Sequence, residues 1–231
     1  IRLKTCLDGR VDALYYAPRF IKLTKALAAS PFTNVPLGEI SPEIAGGATP
    51  TRGNIELYAD GGVKFLRIIN VTQFEINLAD VKYVQDAVHE GELGRSQLAA
   101  NDVLMTITGR VGTAAVVSEE ILPANINQHI VRLRIKRNDC LPDYLAAYLN
   151  SSIGIALSNR GVTGGTRIAL DYETIRNLQI PLPPMPIQQS IAAEITRRRE
   201  EARRLRAAAA KEWEEAKNRF EEQLLGRVNP D

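Results

Sequence analysis

Leu178-Gln179-Ile180-Pro181-Leu182-Pro183-Pro184-Met185-Pro186 is the stretch on which the reading of this chain turns. Four prolines between Ile180 and Pro186 remove backbone donors and bias the chain towards extended geometry. Ahead of them the sequence is punctuated by glycine. Behind them, from Ile187 to Leu225, it holds neither glycine nor proline and is rich in Ala, Glu and Arg, which are good helix formers. The break predicts a globular part over 1–186, a long helix over 187–225 and a tail over 226–231.

The helical part carries the clearest period. Ile191, Ile195, Ala202, Leu205, Ala209, Trp213, Ala216, Phe220 and Leu224 follow one another mostly at steps of three or four, which line one helical face. Arg198 interrupts the stripe, so it is no perfect heptad. Nine Lys or Arg and eight Asp or Glu share the same segment and can pair at i,i+3 and i,i+4. At about 1.5 Å per residue the rod would reach roughly 58 Å. A rod of that length needs a second helix to cover its stripe, and a coiled-coil arm is the expectation. A terminal helix folded back on its own domain is the alternative.

Upstream, β-branched runs at Val63–Val71, Val103–Thr108, Ala114–Val117 and Ile130–Ile135 read as strands. Gly46-Gly47-Ala48-Thr49-Pro50 and Gly61-Gly62 read as turns. Helical patterns occupy Pro18–Ala29, Pro142–Ser158 and Asp171–Asn177, with Asp143 and Asp171 near two of the starts. The fold class expected is α+β, a mixed globular domain followed by the long C-terminal helix.

Composition narrows the function. With 45% hydrophobic and 24% charged residues, the 231-residue chain suits a folded protein rather than a disordered one. No apolar run of about 18 residues is present, and Ile1-Arg2-Leu3-Lys4 lacks a secretory layout, so no membrane contact and a cytoplasmic setting are expected. Cys6 and Cys140 lack CxxC spacing and His89 and His129 lack ligand-spaced neighbours, so no metal site is expected. The net charge of +2 is not the footprint of a stand-alone nucleic-acid binder.

Ordered landmarks carry a resemblance. Val35-Pro36-Leu37-Gly38-Glu39-Ile40, the Gly46–Thr51 turn, Val63-Lys64-Phe65-Leu66-Arg67-Ile68, Asp102-Val103-Leu104 leading to Thr108-Gly109-Arg110-Val111-Gly112, Asn125-Ile126-Asn127-Gln128 and Gly161–Thr166 follow one another. Then comes Leu178–Pro184, followed by Gln188 and Ile191. In that order they resemble the S (specificity) subunits of type I restriction–modification systems. The resemblance implies a target recognition domain for double-stranded DNA and a helix that spaces it from a second reader. It also implies modification (methyltransferase) and restriction subunits as partners. Family members usually carry two recognition domains and two helices, whereas this chain has one of each. It is therefore either half of a longer protein or a half-length subunit forming a homodimer through the C-terminal helix.

Candidate DNA contacts follow from local chemistry together with that resemblance. Arg132, Arg134 and Lys136 alternate with Val131, Leu133 and Ile135, which puts three cations on one strand face: a phosphate-facing strip or the solvated face of an edge strand. Arg110 sits between glycines that let backbone approach a ligand. Arg160, Thr163 and Arg167 belong to a donor-rich loop. Lys64 and Arg67, three apart on a strand, should face opposite ways. Asn125, Asn127 and Gln128 could read adenine edges or simply build turns.

Catalytic signatures do not assemble. Leu182-Pro183-Pro184-Met185 is no methyltransferase motif, no GxxxxGK[ST] loop is present, and Glu215-Ala216-Lys217 falls among ordinary surface residues of the helix. A non-enzymatic chain without a cofactor is expected.

Overall fold

The computed structural model describes residues 13–50, 58–162 and 169–226. They form two compact units, the first ending at Gln189 and the second beginning at Ser190.

The first unit opens with α1 (Pro18–Ala28), with proline in its first turn and Phe20 buried. The strand β1 (Thr33–Pro36) runs into the single turn α2 (Leu37–Ile40), where Leu37 and Ile40 are fully buried. The elements β2 (Glu43–Gly46), β3 (Tyr58–Ala59) and β4 (Val63–Leu66) follow. Next come the short hairpin β5 (Val71–Thr72) and β6 (Glu75–Ile76), then β7 (Lys82–Val84) and α3 (Asp86–Glu90). Beyond them lie β8 (Val103–Thr106), β9 (Ala114–Val116), β10 (Ala124–Ile126) and β11 (Ile130–Arg134). Finally α4 (Pro142–Asn150), α5 (Ser152–Arg160), α6 (Tyr172–Asn177) and β12 (Gln179–Leu182) lead into α7 (Met185–Leu224).

Two four-stranded sheets organise the domain, in the orders β2-β11-β8-β9 and β10-β4-β7-β3. Leu104, Ala115 and Ile130 of the first sheet meet Leu66, Ala124 and Ile126 of the second in one apolar cluster. On the other face of the first sheet, Val103, Met105, Val131 and Leu133 pack with Leu145 and Leu149 of α4. Phe65 and Val84 turn instead towards Val88 and Leu93. Each side chain of this size contributes about 1.5–3 kcal/mol by leaving water, so the pleat alternation fixes which residues face which layer.

The structure corrects several boundaries. The strand expected over Val63–Val71 ends at Leu66, because Asn70 turns inward there. Its amide donates to the carbonyls of Asn77 (2.9 Å) and Ala79 (3.1 Å), and its oxygen accepts from the Arg67 N–H (2.9 Å). The single helix expected over Pro142–Ser158 is two, since Ser151 leaves helical geometry and caps the second by accepting from the Gly154 N–H at 3.1 Å. Asp171 caps α6 in the same way through the Thr174 N–H, at 2.7 Å. The prolines of the junction do not preclude pairing: β12 lies antiparallel to β1, with Pro181 opposite Asn34 and Ile180 opposite Val35. Two strands at a sheet edge tolerate a missing donor.

Candidate nucleic-acid interface

Strand directions bring several loops to one edge. β4 and β10 are parallel, with Leu66 opposite Ile126, so both chains leave their strands at the same edge. β11 runs the other way against β8 and β2, with Ile130 opposite Thr106 and Val131 opposite Gly46. The turn at 67–70, the turn at 127–129, the loop at 107–112 and the segment at 47–50 therefore emerge together. Backbone bonds stitch them: Asn127 N–H to the Leu66 carbonyl (3.0 Å), Ala48 N–H to that of Ile126 (3.2 Å), Ile107 N–H to that of His129 (3.0 Å). Thr108 also bridges to Ala169. Gly47 is needed for this closeness, because a Cβ there would lie 2.1 Å from the Ile126 carbonyl oxygen.

A line of polar side chains crosses the edge. The Thr49 hydroxyl donates to Gln128 Oε1. The Gln128 amide reaches His129 Nε2 at 3.3 Å, and His129 Nδ1 lies 3.0 Å from the Thr108 hydroxyl. The Gln128 amide nitrogen can only donate, so Nε2 is placed as its acceptor and Nδ1 as the partner of the Thr108 hydroxyl. Exposed Gln128 keeps one N–H and one oxygen lone pair free of this line. Beside it, Arg110 stands exposed between Gly109 (φ +62°) and Gly112 (φ +87°), conformations that favour glycine. Its Nη2 touches the Val71 carbonyl only loosely, at 3.4 Å.

Apart from Arg67, which opens the turn at 67–70, the other expected cations lie elsewhere in the fold. Arg134 forms a bidentate pair with Asp102 (2.8 and 2.7 Å), and that hydrogen bonding holds its guanidinium above its usual range. Arg132 donates to the Gln97 carbonyl at 2.6 Å, while burial and then Arg134 lower its pKa. Lys136 pairs with Glu43 at 3.2 Å. The edge-strand alternative for this strip fails, because β11 lies between β2 and β8. Lys64 shares a β4 face with Leu66. Arg67 lies just past that strand, its guanidinium on the Asp80 carbonyl at 2.5 Å. Arg160 donates to the Tyr15 carbonyl at 3.0 Å and stacks 3.8 Å from that ring. Thr163 and Arg167 lie outside the described residues. Asn125 and Asn127 are buried, Asn125 donating to the Leu93 carbonyl and the Ser96 hydroxyl, and Asn127 accepting from the His129 N–H.

Sequence reading missed Thr49, Thr108 and His129. In the sequence His129 suggests only a metal ligand, and local periodicity links no positions some 20 to 80 residues apart. Among the described residues, no three His, Cys, Asp or Glu side chains are placed to hold a metal ion. Among them too, no helix is long and apolar enough to cross a membrane.

In the second unit, α7 shows its stripe. Leu205, Trp213, Phe220 and Leu224 are each more than half exposed, Ile191 and Ala209 are exposed, and Ile195, Ala202 and Ala216 are half-buried. Around them run the pairs Glu194 with Arg197 and Arg198, Glu201 with Arg204, and Lys211 with Glu215.

The model of the type I restriction modification DNA specificity domain matches residues 29–200 of this chain. The chain belongs to that family. A 134-residue stretch is 25% identical to the type I restriction enzyme EcoBI specificity subunit of Escherichia coli, covering 58% of this chain and 28% of that protein. The fold is shared with a chain from a structure of complex assembly and conformational transition in the type I R-M system. That match has a TM-score of 0.60 and 22% identity, over 90% of this chain and 50% of the other. It is shared too with the HsdS subunit from Thermoanaerobacter tengcongensis (TM-score 0.54, 21% identity, 81% of this chain and 45% of that one). This specificity-family chain thus spans half the length of these relatives or less. Their α+β domain followed by a long helix is also its own.

Proposed function

We propose that this chain is the DNA sequence-recognition subunit of a type I restriction–modification complex. It directs partner methyltransferase and restriction subunits to a bipartite target and performs no catalysis itself. The observation that carries this reading is the loop edge, where Arg110, Gln128, His129 and the Thr49 and Thr108 hydroxyls converge. Arg110 suits a phosphate or a guanine edge, and the free N–H and lone pair of Gln128 suit an adenine edge. One such edge reads one half of a target. The second half requires a second reader, and the stripe on α7 suits pairing with another copy. A rod of 40 residues, about 60 Å, exceeds one turn of duplex, about 34–36 Å.

The test is co-expression with the cognate modification subunit, followed by mapping of methylated adenines. Methylation at a two-part site with inverted halves is expected, with Arg110→Ala weakening DNA binding and lowering the log–log salt slope by about 1. Assembly with the methyltransferase but no sequence preference would leave a coiled-coil scaffold instead.

A further inference from the structure

We infer that Ile69 is an apolar reader of the thymine 5-methyl group at this edge, an inference that rests on the DNA-reading function proposed above. In the unit that ends at Gln189, Ile69 is 50% exposed, and among the described large apolar residues there only Leu14 is more so. A single exposed isoleucine needs no explanation by itself. Its mounting is what matters.

Ile69 occupies the middle of the 3-10 turn Ile68–Asn70, and that turn is held from within. Asn70 is wholly buried and binds the backbone at Arg67, Asn77 and Ala79, while the Asn77 N–H returns to the Asn70 carbonyl at 2.8 Å. Arg67 adds a bond to the Asp80 carbonyl. The turn therefore cannot collapse to hide its apolar tip, and little entropy remains to be lost on binding.

Its neighbours place it beside the polar line. Residue 68 packs against the 107–112 loop, since a Cβ on Gly109 would lie 3.2 Å from Ile68 Cδ1. On the other side, Arg110 reaches the Val71 carbonyl at 3.4 Å. Ile69 thus stands between a residue packed on the 107–112 loop and a carbonyl reached by the exposed Arg110 of that loop. In the major groove, thymine alone offers a methyl group, and an aliphatic contact distinguishes it from cytosine without a hydrogen bond. A stiff apolar knob next to a phosphate- or guanine-binding arginine is suited to that contact.

The test uses the complex of the full chain with its modification subunit, on a duplex carrying the mapped target. Each thymine of the site is replaced in turn by deoxyuridine, which removes only the methyl. At one position the wild-type complex should lose roughly three- to tenfold in affinity, consistent with one desolvated methyl-sized contact of about 0.8 kcal/mol or somewhat more. Ile69→Ala should bind the thymine and uracil duplexes equally, and Ile69→Val should retain part of the preference. Sequence-specific binding that ignores every uridine replacement, or an equal uridine penalty in Ile69→Ala, would overturn the inference and leave DNA recognition standing. A wild-type complex without sequence preference would remove the underlying reading and this inference with it.

Discussion

Asp102 and Arg134 face each other through two hydrogen bonds of 2.8 and 2.7 Å, with the Asp102 carboxylate only 1% exposed. The same carboxylate accepts the Ala99 N–H at 2.7 Å. The pair joins the entry to β8 to the end of β11, so it bears on the framework behind the loop edge rather than on the edge itself. Asp102→Ala leaves a half-buried guanidinium and a backbone N–H without their acceptor. A loss of about 3 kcal/mol is expected, read as a lower melting temperature of the isolated protein. An Arg134→Ala variant that kept its melting temperature but lost DNA affinity would instead assign Arg134 to DNA.

Gln188 holds the junction. It is fully buried, its oxygen accepts the Leu141 N–H at 2.9 Å, and its amide donates to the Asp139 and Pro183 carbonyls at 2.8 Å each. Gln188→Glu keeps the shape but turns a carboxylate against two carbonyls. It should cost more than Gln188→Ala, itself about 3 kcal/mol. Denaturant melts of the two variants check the order, and equal stabilities would contradict it.

The α7 stripe bears on assembly. Ile195→Asp, Leu205→Asp and Phe220→Asp together should abolish self-association or binding to the modification subunit, measured by light scattering. Trp213, the sole tryptophan of the chain and 65% exposed, reports the same event. Its emission should shift to the blue as wild-type concentration rises, and remain unshifted in the triple variant.

Glu194 sets a pH window on the same helix. Hydrogen bonds from Arg197 and then Arg198 lower its pKa from 4.5 to about 2. A depressed carboxylate stabilises the folded form above its unfolded pKa and loses that contribution as pH falls through the folded value. Helicity contributed by this trio should therefore decline between about pH 4.5 and 2. Because the group is exposed to solvent, the decline should shrink in high salt. Glu194→Gln followed by circular dichroism should flatten that part of the profile.

Cys140 supplies a control on the core. Burial, and then Asp139, push its thiol up to about 12. At pH 8 it should resist thiol reagents until the domain is unfolded, so that labelling of Cys140, located by peptide mapping, tracks denaturation.

How far the sequence reached depended on the range of the signal. The stripe from Ile191 to Leu224, the Asp171 cap and the strands at Val103, Ala114 and Ile130 were legible because helix period, capping and pleat alternation are local rules. β1, β2, β3, β6, β7, β10 and β12 are not legible in the sequence. Each is four residues or fewer, and β12 contains a proline that local rules count against a strand. For Asn125 and Arg134 local rules left a DNA contact and a structural role equally open, because the acceptors they bind, at Leu93 and Asp102, lie some thirty residues away.

The amino-acid order by itself determined the α+β class and the long amphipathic helix, since these arise from backbone restriction and hydrophobic period along a few turns of chain. Only the tertiary structure decided which loops share an edge, because that follows from β4 running parallel to β10 while β8 and β2 oppose β11. Strand pairing is a contact between distant segments, selected by burial of both sheet faces, and no local period encodes it.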